Sequence, residues 1–193
     1  MLPLIPYNGI MRPAVMLVAI CLSAEALRRK RNCAYYKRLL SAISFLYAFF
    51  LLYATLLSRT VAKSPIYRLE PMLSLRQAIS VEGGIWSLLQ GDFAAIQLNN
   101  PQSLEAIAVN LLLMVPIGYL LPSLLDVRGK EARWWQVLLA GSLLSVAIEV
   151  VQFVTHLGTL DVDDWLFNSV GAAVGYVFYV RFMKKSSKAA HKS

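Results

Sequence analysis

Several stretches of this chain run for the length of a membrane crossing with almost no charge. Between Arg38 and Arg59 lie twenty uncharged residues, LLSAISFLYAFFLLYATLLS, and between Glu105 and Asp126 lie twenty more, AIAVNLLLMVPIGYLLPSLL. From Arg133 to Asp161 the one formal charge is Glu149, and His156 is the other group that titrates near neutral pH. Sixteen uncharged residues separate Asp164 from Arg181. A bilayer core is crossed by about 20 helical residues. The runs therefore predict spanning helices near 39–58, 105–125, 134–156 and 164–182. A fifth, at about 10–27, has Arg12 and Glu25 near its ends. No period-two alternation suggests a β-barrel. The chain is 58% hydrophobic and 16% charged, where soluble domains hold about 45–50% and 25%. This composition argues against a soluble globular fold and against a disordered chain. The expected fold is an all-α, polytopic transmembrane helical bundle of about five helices.

The net charge of +8 comes from 19 Lys and Arg against 11 Asp and Glu. Spread over one surface, it would suggest a nucleic-acid partner. Here the bases cluster between the apolar runs, at 28–38, at 126–133 and in the tail from Arg181 to Lys192. If all five helices span, these three segments share one side, with fourteen bases against five on the other. Cytoplasmic loops are the ones enriched in Lys and Arg, so the expected topology is N-terminus out, C-terminus in. The clusters then read as orientation signals, and no nucleic-acid partner is expected. The basic run RRKR follows the first apolar stretch rather than preceding it, which predicts a retained helix and not a cleaved signal peptide. The organisation expected is a transmembrane domain over 1–183, with an extracytoplasmic loop at 59–104, and a basic cytoplasmic tail at 184–193. Within that loop Pro65, Pro71, Gly83–Gly84 and Asn99-Asn100-Pro101 break the chain into short pieces. The pieces 73–81 and 85–98 are apolar enough to lie on the membrane surface. Cys21 and Cys33 can make neither a disulfide scaffold nor a closed thiolate zinc site.

The few polar residues inside the runs follow helical spacing. Ser142, Ser145, Glu149, Gln152 and His156 recur at steps of 3, 4, 3 and 4, which puts them on one face. Asp161, Asp164, Asn168, Gly171 and Gly175 recur in the same way. The last two form a G-x-x-x-G pattern that permits close helix approach. At ~1.5 Å per residue, Asn110 lies about 7 Å inside the outer end of its helix, Asn168 about 6 Å, and Glu149 and Gln152 about 10 and 6 Å. Arg59 caps the second helix on the same side. Asn110, Glu149, Gln152, Asp164, Asn168 and Arg59 thus occupy one layer, in the outer leaflet. Such a layer can bond helix to helix, or it can bind a headgroup. A buried Glu149 must be protonated, hydrated or paired, and Arg59 is the nearest cation by depth. D-V-D-D at 161–164 lacks the later ligands of an EF-hand and reads as helix N-capping by Asp161 or Asp164. No metal and no cofactor are expected, and no recognisable catalytic nucleophile motif is present.

Three segments carry a resemblance: LLYATLLSRT (51–60), NLLLMVPIGYLLP (110–122) and SVAIEVVQFVTHLGTLDVDDWLFNSVGAAVGY (145–176). In order and spacing they resemble the VanZ-like membrane proteins. The matching positions are Asn110, Leu113, Pro116 and Gly118, then Ser145, Glu149 and Gln152, then Asp161, Asp164, Asn168, Gly171 and Gly175. One departure is local: where that family often has an arginine shortly before the aspartate-rich turn, this chain has Leu157-Gly158-Thr159. The resemblance implies a bacterial cytoplasmic-membrane protein that lowers susceptibility to teicoplanin, a lipid-tailed glycopeptide. Its partners would be membrane lipids and a lipoglycopeptide or lipid-linked envelope precursor. The expected ligand-binding residues are Glu149, Gln152, Asp164, Asn168, Asn110 and Arg59. The alternatives are a membrane enzyme using Glu149 or Asp164 on a lipid-linked precursor and, third, a small transporter or flippase. The topology has a direct test. Reporter fusions after residue 160 should be active as alkaline phosphatase and inactive as a cytoplasmic fluorophore, and fusions after residue 130 should do the reverse.

Overall fold

The computed structural model describes residues 34–57, 66–82, 89–91, 93 and 96–190, with 34–35, 66 and 182–190 as backbone alone. The expected helix at 10–27, the basic run after it and Arg59 lie outside these residues. Four long helices fall on four of the predicted runs. Helix α1 covers Ala34–Leu52 and continues as a wider π turn, Tyr53–Leu57. After strand β1 (Ile66–Arg68), short helix α2 (Leu73–Ala78) and strands β2 (Ile79–Val81) and β3 (Ile96–Leu98) come α3 (Pro101–Val127) and α4 (Trp134–Val154). Strand β4 (Thr159–Asp161) leads into α5 (Val162–Ala190). Among the described residues three stretches, Tyr36–Leu57, Pro101–Val127 and Trp134–Val154, are long and apolar enough to cross a membrane.

The helix ends follow from local chemistry. Asn100 caps α3 by accepting from the Gln102 and Ser103 N–H groups at 3.0 and 3.4 Å, and Pro101 takes the first helical position, where its missing N–H costs nothing. At α4 the Gln136 side chain accepts from the Arg133 N–H at 3.0 Å. That helix stops at Val154, and His156 adopts a left-handed φ of 57°. The predicted helix through 156 is therefore two residues too long, and His156 leaves the face that the spacing assigned to it.

Segment 59–104 differs most from expectation. It contributes strands as well as loop and helix. β1 pairs in parallel with β4, and β2 pairs antiparallel with β3. Strands of three residues are too short to leave a periodic signature in sequence.

Packing centres on α3 and α5, which run parallel. A Cβ placed on Gly171 would lie 2.2 Å from the Leu111 carbonyl oxygen, and one on Gly175 would lie 2.0 Å from that of Val115. A Cβ on Gly118 would lie 2.0 Å from the Ala172 carbonyl oxygen. The two backbones therefore touch, and glycine alone fits at the contact. α4 packs antiparallel on α5, with Ala172 facing Gly141. α1 buries the stripe Tyr36, Leu40, Ile43, Tyr47, Leu51 and Ala54 against the bundle and leaves Phe45, Leu46 and Phe49 exposed. Pro116 cannot donate to the Leu112 carbonyl. On the next carbonyl, Leu113, the Tyr47 hydroxyl donates at 2.7 Å.

Gly175→Ala should cost about 1–3 kcal/mol, because an added methyl meets backbone that cannot rotate away. The expected readout is a lower thermal midpoint of the detergent-purified protein. Val177→Ala, at a position 61% exposed, should leave that midpoint unchanged.

Candidate functional site

The polar face of α4 meets the start of α5 at one end of the bundle. Glu149 is buried, and its Oε2 accepts from the Asp161 N–H at 3.0 Å. One turn further on, Gln152 donates from Nε2 to the Thr55 carbonyl at 2.7 Å, tying α4 to the π turn that ends α1. Gly158 lies against the same side chain, where a Cβ would sit 3.1–3.2 Å from it. One turn back, Ser145 accepts from Asn168 Nδ2 at 2.9 Å. Across α3, Asn110 Nδ2 donates to Asp164 Oδ1. Five of the six expected site residues thus lie at this end, on three helices and in hydrogen-bonded pairs; the sixth, Arg59, lies outside the described residues.

The aspartate-rich turn is built by a relay of carboxylates onto backbone N–H groups. Glu149 holds the Asp161 N–H, and Asp161 Oδ1 accepts from the Asp163 N–H at 2.9 Å. This second bond is the N-cap of α5, in the place the sequence assigned to Asp161 or Asp164, and such a cap stabilises by about 1 kcal/mol. Asp163, fully buried, accepts from the Met72 and Ser74 N–H groups at 2.5 and 2.7 Å. Charge-assisted bonds of this kind are roughly twice as strong as neutral ones. The relay runs from α4 through the turn to the first turn of α2 and fixes the segment that would otherwise be a loose loop.

Sequence reasoning missed Asp163. It lies off the helical face shared by Asp161, Asp164 and Asn168, and its partners stand 91 and 89 residues away. No local pattern could have signalled them. Arg68 was missed for the same reason. The parallel pairing sets Arg68 opposite Asp161, and its Nη1 comes 3.9 Å from Asp161 Oδ2. A cation therefore does reach the turn, from β1 rather than from the position before the aspartates.

The members of the set differ in access. Glu149, Gln152 and Asn168 are buried, whereas Asn110 and Asp164 are half-buried. Asn168 Oδ1 is buried and has no hydrogen-bond partner among the described residues. Among those residues no cluster of three or more His, Cys, Asp and Glu is placed to hold a metal ion. On the outer side of α4 and α5, Trp165 Nε1 donates to Ser142 Oγ at 2.7 Å, so the first member of the α4 polar face serves packing.

Burial pushes the Asp161 carboxyl above the ordinary aspartate value of 3.8. The Asp163 N–H opposes that shift, the Asp163 charge adds to it and Arg68 opposes it. The folded state therefore binds this proton more tightly than the unfolded chain does, so stability from this group falls as pH rises from the ordinary value through the raised one. Asp161→Asn keeps an Oδ1 acceptor for the cap and removes the titration. As pH rises from the ordinary aspartate value to neutral, the thermal midpoint of the wild type should decline relative to that of Asp161→Asn. Asp161→Ala should be less stable than Asp161→Asn by about 1 kcal/mol at every pH, from the lost cap.

No curated protein and no solved structure matches the chain. The sequence model of the VanZ/LLP1 family matches residues 33–184, a range that holds α1, both strand pairs and the whole polar cluster. The chain is a membrane protein and belongs to the VanZ/LLP1 family.

Proposed function

We propose that this protein sits in the bacterial cytoplasmic membrane as a multi-pass protein, with its N-terminus out and C-terminus in. There it lowers susceptibility to teicoplanin-type lipoglycopeptides by binding a lipid or lipopeptide headgroup in the outer leaflet. Family membership supports the class of protein. One observation carries the site: polar side chains of three helices converge at one end of a bundle whose other exposed helix faces are apolar. Polar groups at membrane depth are costly and face other helices or water.

The geometry divides the work. Glu149 and Gln152 are buried and committed to the turn and to the end of α1. They act as supports. The half-buried Asn110–Asp164 pair is the edge a headgroup can reach. Behind it, Asn168 Oδ1 offers a buried acceptor to a donor hydroxyl, amine or amide. Leaving such an atom unpaired costs about 1–3 kcal/mol, and a bound donor would recover that. An acyl tail would remain in the leaflet while its polar head met the pair.

The test is antibiotic susceptibility of cells expressing the wild type, Asp164→Asn and Glu149→Gln at matched membrane levels. Asp164→Asn should lose protection against teicoplanin, because the carboxylate at the accessible edge is gone even though an amide oxygen can still accept from Asn110. Glu149→Gln should lose protection together with thermal stability, as a support does. Full wild-type protection by both variants would reject the site.

A further inference from the structure

The β2–β3 hairpin has two unlike faces. The register pairs Ile79 with Leu98, Ser80 with Gln97 and Val81 with Ile96. Alternate residues of a strand point to opposite sides, so Ile79, Val81, Ile96 and Leu98 share one face and Ser80 and Gln97 the other. The polar side closes on itself: Gln97 Nε2 donates to Glu82 Oε2 at 3.1 Å and Ser80 Oγ to Asn99 Oδ1 at 3.3 Å. The apolar side lacks full cover. Ile79 and Val81 are half-buried, while Ile96 is 44% and Leu98 56% exposed.

The height of the hairpin is fixed. Asn99 and Asn100 both donate from their N–H groups to the Ala78 carbonyl, at 2.9 and 3.3 Å. Asn100 is also the N-cap of α3. The hairpin therefore ends where a membrane-length helix begins, and two residues cannot lift it away from that level. Asp163 ties the preceding helix, α2, to the start of α5 through Met72 and Ser74. Exposed apolar side chains continue beyond the hairpin in both directions, with Leu89 and Phe93 in its connecting segment and Leu104 on the first turn of α3.

We infer that the apolar face of this hairpin seats in the boundary between headgroups and acyl chains, in the leaflet at the N-terminal end of α3, with phospholipid as its occupant. The face carries no charge that a protein partner would read. It runs by chain continuity into a helix whose exposed flank is itself suited to lipid. A two-stranded hairpin is marginal alone in water, and lipid against one face with self-bonded polar groups on the other removes that weakness. The inference concerns a surface separate from the Asn110–Asp164 pair and stands whether or not that pair binds a headgroup.

Depth-dependent quenching tests it on the full chain reconstituted in phosphatidylcholine–phosphatidylglycerol vesicles. With Cys21 and Cys33 replaced by serine, single cysteines at Ile96, Gln97 and Leu98 carry an environment-sensitive fluorophore. All three side chains are exposed, so the labels leave the fold in place. Lipids bearing a nitroxide near the headgroup should quench positions 96 and 98 several-fold more than 97, and aqueous iodide should show the opposite order. Iodide quenching at 98 equal to that at 97 would overturn the inference. So would shielding of 98 from both quenchers, which would mean that protein, either a second copy or a partner, covers the face.

Discussion

The contact that the rest of the molecule depends on is backbone against backbone between α3 and α5. Gly118, Gly171 and Gly175 have no Cβ, and the carbonyls of Ala172, Leu111 and Val115 occupy the space that one would fill. In lipid no hydrophobic force drives helices together, so close packing and hydrogen bonds must do so. The glycine contact fixes the parallel pair, and that pair sets Asn110, next to Leu111 in the chain, beside Asp164, about two turns before Gly171. With α5 placed, its adjoining face receives α4, where Ser145 and Asn168 meet and Ala172 fits against Gly141.

A second level of order rests on that scaffold. Glu149, Asp161 and Asp163 each hold backbone N–H groups, in sequence, from the interior of α4 out to Met72 and Ser74. Several acidic groups near one another would ordinarily repel, and the Asp161 carboxyl is raised partly by its neighbour Asp163. Backbone donors offset this cost, and Arg68, half exposed, adds the weaker support expected of a solvent-screened pair. The part of the strap that contains β1 and α2 owes its position to these bonds more than to its own secondary structure, since a three-residue strand and a six-residue helix have little stability of their own.

This division gives the polar residues distinct physical roles. Groups that share a motif and a depth are not equivalent. Gln152 serves the end of α1, Glu149 serves the turn, and Asn168 serves the α4–α5 contact with one oxygen left over among the described residues. Asn110 and Asp164 pair at the accessible edge. Under the proposed function, interhelical bonding and headgroup binding would not be rival uses of these residues. The buried members hold the geometry that leaves the half-buried members presented.

The sequence by itself determined where the long helices lie, because about 20 apolar residues without charge have one stable form in a bilayer. It also placed Ser145, Glu149 and Gln152 on one face of α4 and Asp164 and Asn168 on one side of α5, since helical spacing is a local property, though His156 and Asp161 fall beyond the helix ends, and it marked Gly171 and Gly175 as a contact. Tertiary structure decided the rest. The buried stripe of α1 from Tyr36 to Ala54 could not be told from its exposed face, because lipid and protein interior are equally apolar and no amphipathic signal separates them. Asp163 and Arg68 find their partners only when β1 lies beside β4. Those partners are far off in the chain, and a carboxylate's choice between a nearby cap and a distant N–H is settled by which backbone arrives, not by spacing.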